Sequence, residues 1–342
     1  MAEQNSPNYA PSPKKSIWTW LSLLLTAVLL IIGLWYVMQR VTLTELEAAL
    51  SSAQPLYILL SLLTVILTLL VKSWRWQALL TDPSNKPAYG PAFWSLNLGA
   101  YVNLILPFMR LGEVARLFAI DWTAHVGKAR ALGTIVVEKV VDLFMLALSL
   151  LLILPFIVLP GFIGNPLPMI TAVSLAALLF LYLLAFQTGW IIRTSRLFAG
   201  WLPAQWSERV MGWLIAGLEG LSALRQRRQT LVIIGLSLWA LLLSILTPYF
   251  LFWAFNLPLG LVDAVLINLV VLLVSTPPST PGKIGVVNGA AALLLISFGV
   301  SNDAVIFSYT TVYYLVVVAP IILFGGLAVS RTNWQWQKTS TP

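Results

Sequence analysis

The sequence predicts an all-α integral membrane protein, a polytopic helix bundle with two re-entrant hairpins of broken helix arranged as inverted-topology repeats. Of the 342 residues, 59% are hydrophobic and only 9% are charged, whereas a soluble globular chain carries about a quarter charged residues. Several apolar runs are long enough to cross roughly 30 Å of hydrocarbon as helices. The third observation is that nearly all basic residues fall on one side of the membrane when these runs are placed as spans. Proline and glycine also interrupt two of the apolar regions.

The apolar segments are the first elements to place. They cover residues 17–37, 56–76, 91–108, 131–156, 167–190, 231–255, 262–276, 286–299 and 303–329. The first resembles a signal peptide, but it is long for one and no small-residue cleavage site follows, so we expect a retained span.

The rest of the chain is assigned around these segments. Residues 1–16 are polar and rich in proline and serine, which predicts a disordered cytoplasmic tail. Residues 17–330 are predicted to form a single membrane domain. It consists of a first repeat of about 56–156, a connector of 157–230 and a second repeat of about 231–329, and a cytoplasmic tail of 331–342 follows.

The basic residues predict the orientation. With the N-terminus in the cytoplasm, only Arg40 clearly lies outside. The cytoplasmic set is Lys72, Arg75, Lys86, Lys128, Arg130, Arg193, Arg196, Arg225, Arg227, Arg228 and Arg331. This positive-inside pattern predicts a multi-pass protein of the cell (inner) membrane with both termini cytoplasmic, and it explains the net charge of +8 without nucleic acid.

The same orientation requires two apolar regions, 91–108 and 262–299, to return to the side from which they came. Each is then a re-entrant hairpin of two half-helices. Non-helical backbone at membrane depth is tolerated only where it is buried in protein or lines a wet cavity. We therefore expect both hairpins to face the interior of the bundle.

The two hairpins carry similar breaks. LPFMRLGEVAR (106–116) and STPGKIGVVNG (279–289) each contain proline and a basic–aliphatic–glycine triplet, and each hairpin lies between two full spans. The first enters from the cytoplasm and the second from outside, which predicts an inverted repeat with a transport site at its centre. The residues expected to break the helices are Pro107, Gly112, Pro281, Gly282 and Gly285.

Charges near the first break form a candidate head-group site, because a charge in the bilayer is costly without a partner or water. Arg110 and Arg116 have the fork geometry that suits phosphate. Glu113 would pair with either arginine or hold the amine of a zwitterionic head group. The alternative is a cytoplasmic loop with a local ion pair.

Further candidates lie in the later segments. Glu138 and Asp142 share a helix face, and they would either clasp Arg110 or Arg116 or contact substrate. Lys283 would bind the same anion near the opposite leaflet, or extend to the outer interface. Four asparagines in apolar surroundings would join helices or contact head groups: Asn97, Asn103, Asn268 and Asn288.

Other chemistries have little support in the sequence. The chain has no cysteine for disulfides or thiolate sites and a single histidine, His125. It has no GxxxxGK[ST] P-loop, so we expect facilitated or ion-coupled movement rather than movement driven by its own ATP hydrolysis. We predict no catalytic residue, no metal and no cofactor.

Taken together, SWRWQALL (73–80), LNLGAYVNLILPFMRLGEVARLF (96–118), GTIVVEKVVDLF (133–144) and TPGKIGVVNGA (280–290) resemble the lysylphosphatidylglycerol synthase/flippase membrane-domain family. The resemblance covers about 17–330 and implies a bundle with inverted re-entrant hairpins that moves lipids or lipid-linked glycans between leaflets. It marks Asn103, Pro107, Arg110, Gly112, Glu113, Arg116, Glu138, Asp142, Pro281, Gly282 and Gly285.

Two positions depart from the family pattern. Lys139 stands where members often have arginine, and Asn288 stands where they commonly have glutamate, which weakens any requirement for a cationic head group. The sequence also contains no soluble aminoacyl-transferase domain of the kind that bifunctional members carry. We therefore expect no reaction with aminoacyl-tRNA.

The function expected from these observations is a lipid translocase, not an enzyme. Its substrate would be an anionic or zwitterionic phospholipid or a lipid-linked glycan. Membrane lipids are the expected partners, with a second copy of the chain or lipid- and glycan-synthesis enzymes as further candidates. The alternatives are a membrane transferase using Glu138 and Asp142 on lipid-linked substrates, and an accessory subunit of a lipid or glycan assembly system.

Overall fold

The computed structural model of the chain describes residues 51–81, 86–106, 111–153, 227–276 and 280–332, with residues 44, 47, 48, 193–195 and 211. The tail 1–16, the segments 17–37 and 167–190, and most of the connector 157–230 and the tail 331–342 lie outside the described residues. Pro107 and Arg110 also lie outside them.

The described residues include eight α-helices and one short 3-10 helix. These are α1 (Pro55–Leu80), α2 (Tyr89–Ile105), α3 (Leu111–Ala124), α4 (Lys128–Ile153), α5 (Arg227–Ala254), α6 (Leu261–Ser275), the 3-10 helix (Pro281–Lys283), α7 (Val286–Ser297) and α8 (Asp303–Arg331). No strand occurs in this part of the chain, and the all-α membrane class is confirmed.

Three helices are long and apolar enough to cross a membrane, namely α1, α5 and α8. Helix α4, with 26 residues, is as long as α1. It carries five charged residues along its length, which makes it the polar member of the four long helices. The five are Lys128, Arg130, Glu138, Lys139 and Asp142.

The first hairpin differs from the sequence prediction. Both half-helices were expected within 91–108, but α2 occupies that stretch and ends at Ile105. The second arm is α3, which begins at Leu111 and contains Glu113, Arg116 and Asp121. Hydropathy does not mark α3 because three charged residues lie among its 14 positions. The two helices therefore lie on either side of residues 107–110, which are outside the described residues and include the predicted break at Pro107.

Glycine allows the two arms of this hairpin to pack closely. Gly112 lies in the first turn of α3, where a Cβ atom would overlap the carbonyl oxygen of Gly99 in α2. The Gly112 amide also donates to Oδ1 of Asn103 at 2.8 Å. Gly112 was expected to break a helix, but it lies inside one, and its small size is what the contact requires.

The second hairpin has its break where the sequence predicted it. Helix α6 ends at Ser275, the 3-10 helix begins at Pro281, and α7 starts after Gly285. Gly282 and Gly285 have φ angles of 70° and 80°, which side-chain-bearing residues rarely adopt. The Tyr314 hydroxyl in α8 donates to the Gly282 carbonyl at 2.8 Å, which holds the turn against a long helix.

The helices follow the same order twice, since a long helix, two short ones and a long one occur in α1–α4 and again in α5–α8. The first helices of the two sets, α1 and α5, pack along each other. Ser61 donates to the Thr247 carbonyl at 2.8 Å across this contact, and Thr64 bonds to the Thr247 hydroxyl at 2.9 Å. The order agrees with a repeat, while the opposite insertion of the two hairpins stays a prediction.

Candidate functional site

A cluster of ionised side chains lies where α1, α3 and α4 meet. We call it the ion-pair cluster, and it consists of Arg75, Glu113, Arg116, Glu138, Lys139 and Asp142. In a chain with 9% charged residues, this concentration of both signs at one helix junction is the main polar feature of the described bundle.

Glu138 is the centre of the cluster. Its Oε2 atom accepts from Nη2 of Arg116 at 2.5 Å and its Oε1 atom accepts from Nη1 of the same residue at 3.3 Å, which is the two-pronged arrangement that arginine favours with carboxylates. Nη2 of Arg75 lies 3.7 Å from Oε1 on the other side. The three side chains are only 3–8% exposed, so these charges face the protein interior.

Arg75 extends the cluster from Glu138 towards α5. Its Nη1 atom donates to Asp142 at 2.7 Å and to the Ser237 hydroxyl at 3.3 Å. Asp142 is 40% exposed, so the network opens at this carboxylate. The Nε–H groups of Arg75 and Arg116 have no hydrogen-bond partner among the described residues, which leaves each guanidinium with a spare donor.

Glu113 forms the second opening of the cluster. Its carboxylate lies 3.2 Å from Nζ of Lys139 and accepts from Nδ2 of Asn103 at 3.0 Å. Lys139 is 47% exposed and Glu113 is 21% exposed. Asn103 therefore connects both arms of the first hairpin, because it contacts Glu113 and the Gly112 amide together.

A tryptophan fixes the position of Arg116. The guanidinium carbon lies 4.6 Å from the centre of the Trp76 ring, within the range of a cation–π contact. The indole N–H donates to Thr134 of α4 at 3.2 Å, and Trp76 is fully buried. Trp76 of α1 thus positions Arg116 of α3, and the bond to Thr134 of α4 fixes the orientation of the Trp76 ring.

A cavity lined by both polar and apolar residues adjoins the cluster between α1, α4, α5 and α6. Its volume is about 120 Å³, well above the roughly 10–15 Å³ that holds one water molecule. Arg75 and Asp142 of the cluster line it. The other polar lining residues are Lys72, Ser149, Ser237, Ser244 and Asn268. The cavity lies between helices of the two sets, α1 and α4 against α5 and α6.

The predicted clasp between α3 and α4 is present as Arg116–Glu138. Two other pairings predicted from sequence differ from those in the structure. Glu113 pairs with Lys139 rather than with Arg116, and Asp142 pairs with Arg75. Consecutive helical residues project about 100° apart, so Lys139 faces α3 from a different side than Glu138 does.

The candidates of the second hairpin have other contacts. Asn288 in α7 donates to the Thr310 carbonyl of α8 at 3.1 Å, so it joins two helices. Its Oδ1 atom is buried and lacks a hydrogen-bond partner among the described residues. Lys283 lies in the 3-10 helix, which packs against α2, so the two hairpins touch.

Sequence reasoning missed Arg75 as a site residue. The sequence placed it among the cytoplasmic basic residues, but the structure buries it between two carboxylates. The available signal was its position in the middle of SWRWQALL, between two tryptophans at the end of an apolar span. Among the described residues, no group of three or more His, Cys, Asp or Glu side chains is placed to hold a metal ion.

Comparisons with known proteins agree on the type of protein. The family described as the lysylphosphatidylglycerol synthase TM region matches residues 19–325. The UPF0104 membrane protein MJ1595 of Methanocaldococcus jannaschii is 23% identical over 290 residues, which is 81% of this chain and 85% of that protein. The UPF0104 membrane protein MJ1078 of the same organism is 25% identical over 227 residues, 66% of this chain and 92% of that protein. No solved structure matches the chain.

Proposed function

This chain belongs to the family of the lysylphosphatidylglycerol synthase TM region, and on that premise we propose that it moves the polar head group of a membrane lipid between leaflets. The substrate is an anionic or zwitterionic phospholipid or a lipid-linked glycan. The protein acts in the cell (inner) membrane with both termini in the cytoplasm. This orientation follows from the distribution of lysine and arginine along the sequence.

The observation that supports this proposal best is the buried Arg75–Glu138–Arg116 network. Removing charges from water costs several kcal/mol for each ion, and apolar residues of similar volume often stabilise a protein as well or better. A stability role alone is therefore a weak reason for such a network in an apolar bundle. Ionisable groups inside membrane proteins more often line the path of a polar substrate.

The edges of the cluster suggest how a head group would enter. Glu113, Lys139 and Asp142 are partly exposed, and each already holds a partner that a head group would replace. A phosphate would take the place of Glu113 beside Lys139, while an amine would pair with a released carboxylate. The lipid tails stay in the bilayer, so the protein needs to lower only the cost of carrying the polar head.

Reconstituted vesicles test this proposal through Glu113→Gln. The amide keeps the size of the side chain and removes the charge that Lys139 and a cationic group would recognise. We expect movement of a fluorescent phosphatidylglycerol or phosphatidylethanolamine between leaflets to fall at least tenfold. The matched control is Glu47→Gln, the same change at an exposed position, which should translocate like the unmodified protein.

The outcome that contradicts the proposal is full lipid movement by Glu113→Gln at equal amounts of folded protein. Metal-dependent formation of a new product from a labelled lipid donor would instead favour a membrane transferase. No lipid movement by the unmodified protein alone, with movement once a co-purifying subunit is added, would favour an accessory role. Arg110 remains a predicted head-group residue from the sequence, and substituting it should have the same effect as Glu113→Gln.

A further inference from the structure

Among the described residues, the formal charges around this cavity do not balance. The cluster and the cavity together contain four cations, Lys72, Arg75, Arg116 and Lys139, and three carboxylates. Glu138 forms ion pairs with Arg116 and Arg75, and Asp142 forms a second ion pair with Arg75. Glu113 forms an ion pair with Lys139. Within the part of the chain that the structure describes, no carboxylate lies within ion-pair distance of Lys72.

Lys72 is therefore the unmatched cation, and it lines the cavity. It lies one helical turn before Arg75 on the same face of α1 and is partly buried. Asp142 lines the same cavity and acts on Lys72 at longer range, but it makes no ion-pair contact with it, and a bound monoanion would add a direct partner. The excess of one positive charge matches the single negative charge of a phosphodiester.

The rest of the lining supplies hydrogen-bonding groups. Asp142 and Ser149 of α4 are seven residues apart, and so are Ser237 and Ser244 of α5, so each pair extends the polar wall by about 10 Å along its helix. The three serine hydroxyls donate to carbonyls of their own helices, at 2.7–2.8 Å. Their hydroxyl protons are therefore already donated, so donors to an anion must come from other residues.

Besides the Nε–H group of Arg75, two donors that line the cavity remain available. Among the described residues, neither the Lys72 ammonium nor the Asn268 amide has a hydrogen-bond or ion-pair partner, and both line the cavity. They come from different helix sets, Lys72 from α1 and Asn268 from α6. An anion held by both would therefore bridge the two sets of helices.

We propose that this cavity binds a phosphate monoanion of the phosphodiester class, with Lys72 as its ionic partner and Asn268 as its second donor. The site follows from the charge count and the lining residues. Its assignment to a lipid head group, rather than to free phosphate, rests on the proposed function. The site is separate from the Glu113 opening and adjoins the ion-pair cluster at Asp142, which lines the cavity.

Calorimetric titration of the full-length protein in detergent tests the site. The probes are dihexanoyl-phosphatidylglycerol, neutral dihexanoylglycerol and inorganic phosphate. We expect saturable binding of the phosphodiester and at least tenfold weaker binding of the neutral lipid, because a hydrogen-bonded charge contributes more than a neutral contact. Inorganic phosphate that binds as tightly as the lipid indicates a free anion as the source, while binding of the lipid alone indicates a head group.

Four variants make the test specific. Lys72→Met should weaken phosphodiester binding at least tenfold, Lys72→Arg should keep it within about threefold, and Asn268→Leu should weaken it severalfold. Lys86→Met removes the same charge at an exposed position and should bind like the unmodified protein. If Lys72→Met does not fold, Asn268→Leu compared with Lys86→Met decides the result.

The proposal is overturned if Lys72→Met and Asn268→Leu both bind the phosphodiester as the unmodified protein does, or if neutral dihexanoylglycerol binds equally well. The proposed function fails in a different way. In that case the vesicle experiment shows no lipid movement by the unmodified protein, while the titration still shows anion binding that depends on Lys72.

Discussion

Glu138 determines whether the buried charges of this bundle are compensated. Both arginines that contact it are almost fully buried, and Arg116 has no second carboxylate among the described residues, whereas Arg75 also has Asp142. Loss of the Glu138 charge would therefore leave Arg116 unpaired beside Trp76. A cation–π contact is worth about 0.5–2 kcal/mol, which does not replace a buried carboxylate.

Glu138→Gln should accordingly destabilise the protein by about 3–5 kcal/mol, the usual cost of removing one partner from a buried ion pair. The measurement is the free energy of unfolding in mixed micelles titrated with SDS. The double variant Arg116→Met/Glu138→Gln removes the stranded cation as well, so its loss should be smaller than that of the single variant. A larger, additive loss in the double variant would contradict this account of the cluster.

Residue types alone identified most of this cluster, because charge within apolar sequence is conspicuous. Arg116, Glu138, Asp142 and Glu113 were candidates before the contacts were known, and so was Asn103, which contacts the cluster at Glu113. Their partners were less predictable, since each depends on how α3 and α4 are rotated against α1. Arg75 was missed because the positive-inside pattern also predicts a basic residue at the cytoplasmic end of a span.

At the scale of elements, the first hairpin depends on the close approach of α2 and α3. A Cβ at Gly112 would meet the Gly99 carbonyl and the Asn103 side chain, while one at Gly99 would lie 2.7 Å from the Gly112 carbonyl oxygen. Backbone carbonyls cannot move aside as a flexible side chain can. The two helices would have to separate, and Asn103 would lose its contacts with both Gly112 and Glu113.

Gly112→Ala should therefore cost about 1–3 kcal/mol, as overpacking usually does, and should reduce lipid movement because Asn103 no longer positions Glu113. Both effects are measurable, by SDS unfolding and by vesicle translocation. Gly90→Ala is the matched control in α2, since its Cβ would meet nothing within 4 Å. A Gly112→Ala protein as stable as Gly90→Ala would contradict the packing argument.

Hydropathy predicted the long elements and failed at the short one. The segments 56–76, 131–156, 231–255 and 303–329 correspond to α1, α4, α5 and α8 within a few residues at most of their ends. Helix α3 was overlooked because its three charged residues interrupt the apolar run. The second break was found because two glycines and a proline mark it directly in the sequence.

At the scale of the whole molecule, the prediction that remains is the opposite insertion of the two hairpins. The positive-inside pattern places the outer ends of α2 and α3 in the cytoplasm and those of α6 and α7 outside. The chain has no cysteine, so single cysteines can report each position without background. The exposed positions Lys86, His125, Pro258 and Ser301 lie beside these helix ends.

A membrane-impermeant thiol reagent added to intact cells should label cysteine at 258 and 301 and leave cysteine at 86 and 125 unlabelled. Membrane permeabilisation should then expose 86 and 125, which controls for their reactivity. Labelling of one end of a hairpin but not of the other would mean that the hairpin crosses the membrane, and the inverted-repeat arrangement would be wrong for that unit.

Composition and hydropathy along the chain were enough to predict a helical membrane protein, where its long helices lie, and which side chains are too polar for their surroundings. These properties depend on composition and local periodicity, which are read along the chain. Only the tertiary structure decided that Arg75 joins Glu138 and Asp142, that Lys139 takes Glu113, and that Lys72 lines a cavity without a carboxylate partner among the described residues. Those pairings depend on the rotation and spacing of helices that are distant in sequence, and close glycine contacts between helices set part of that spacing.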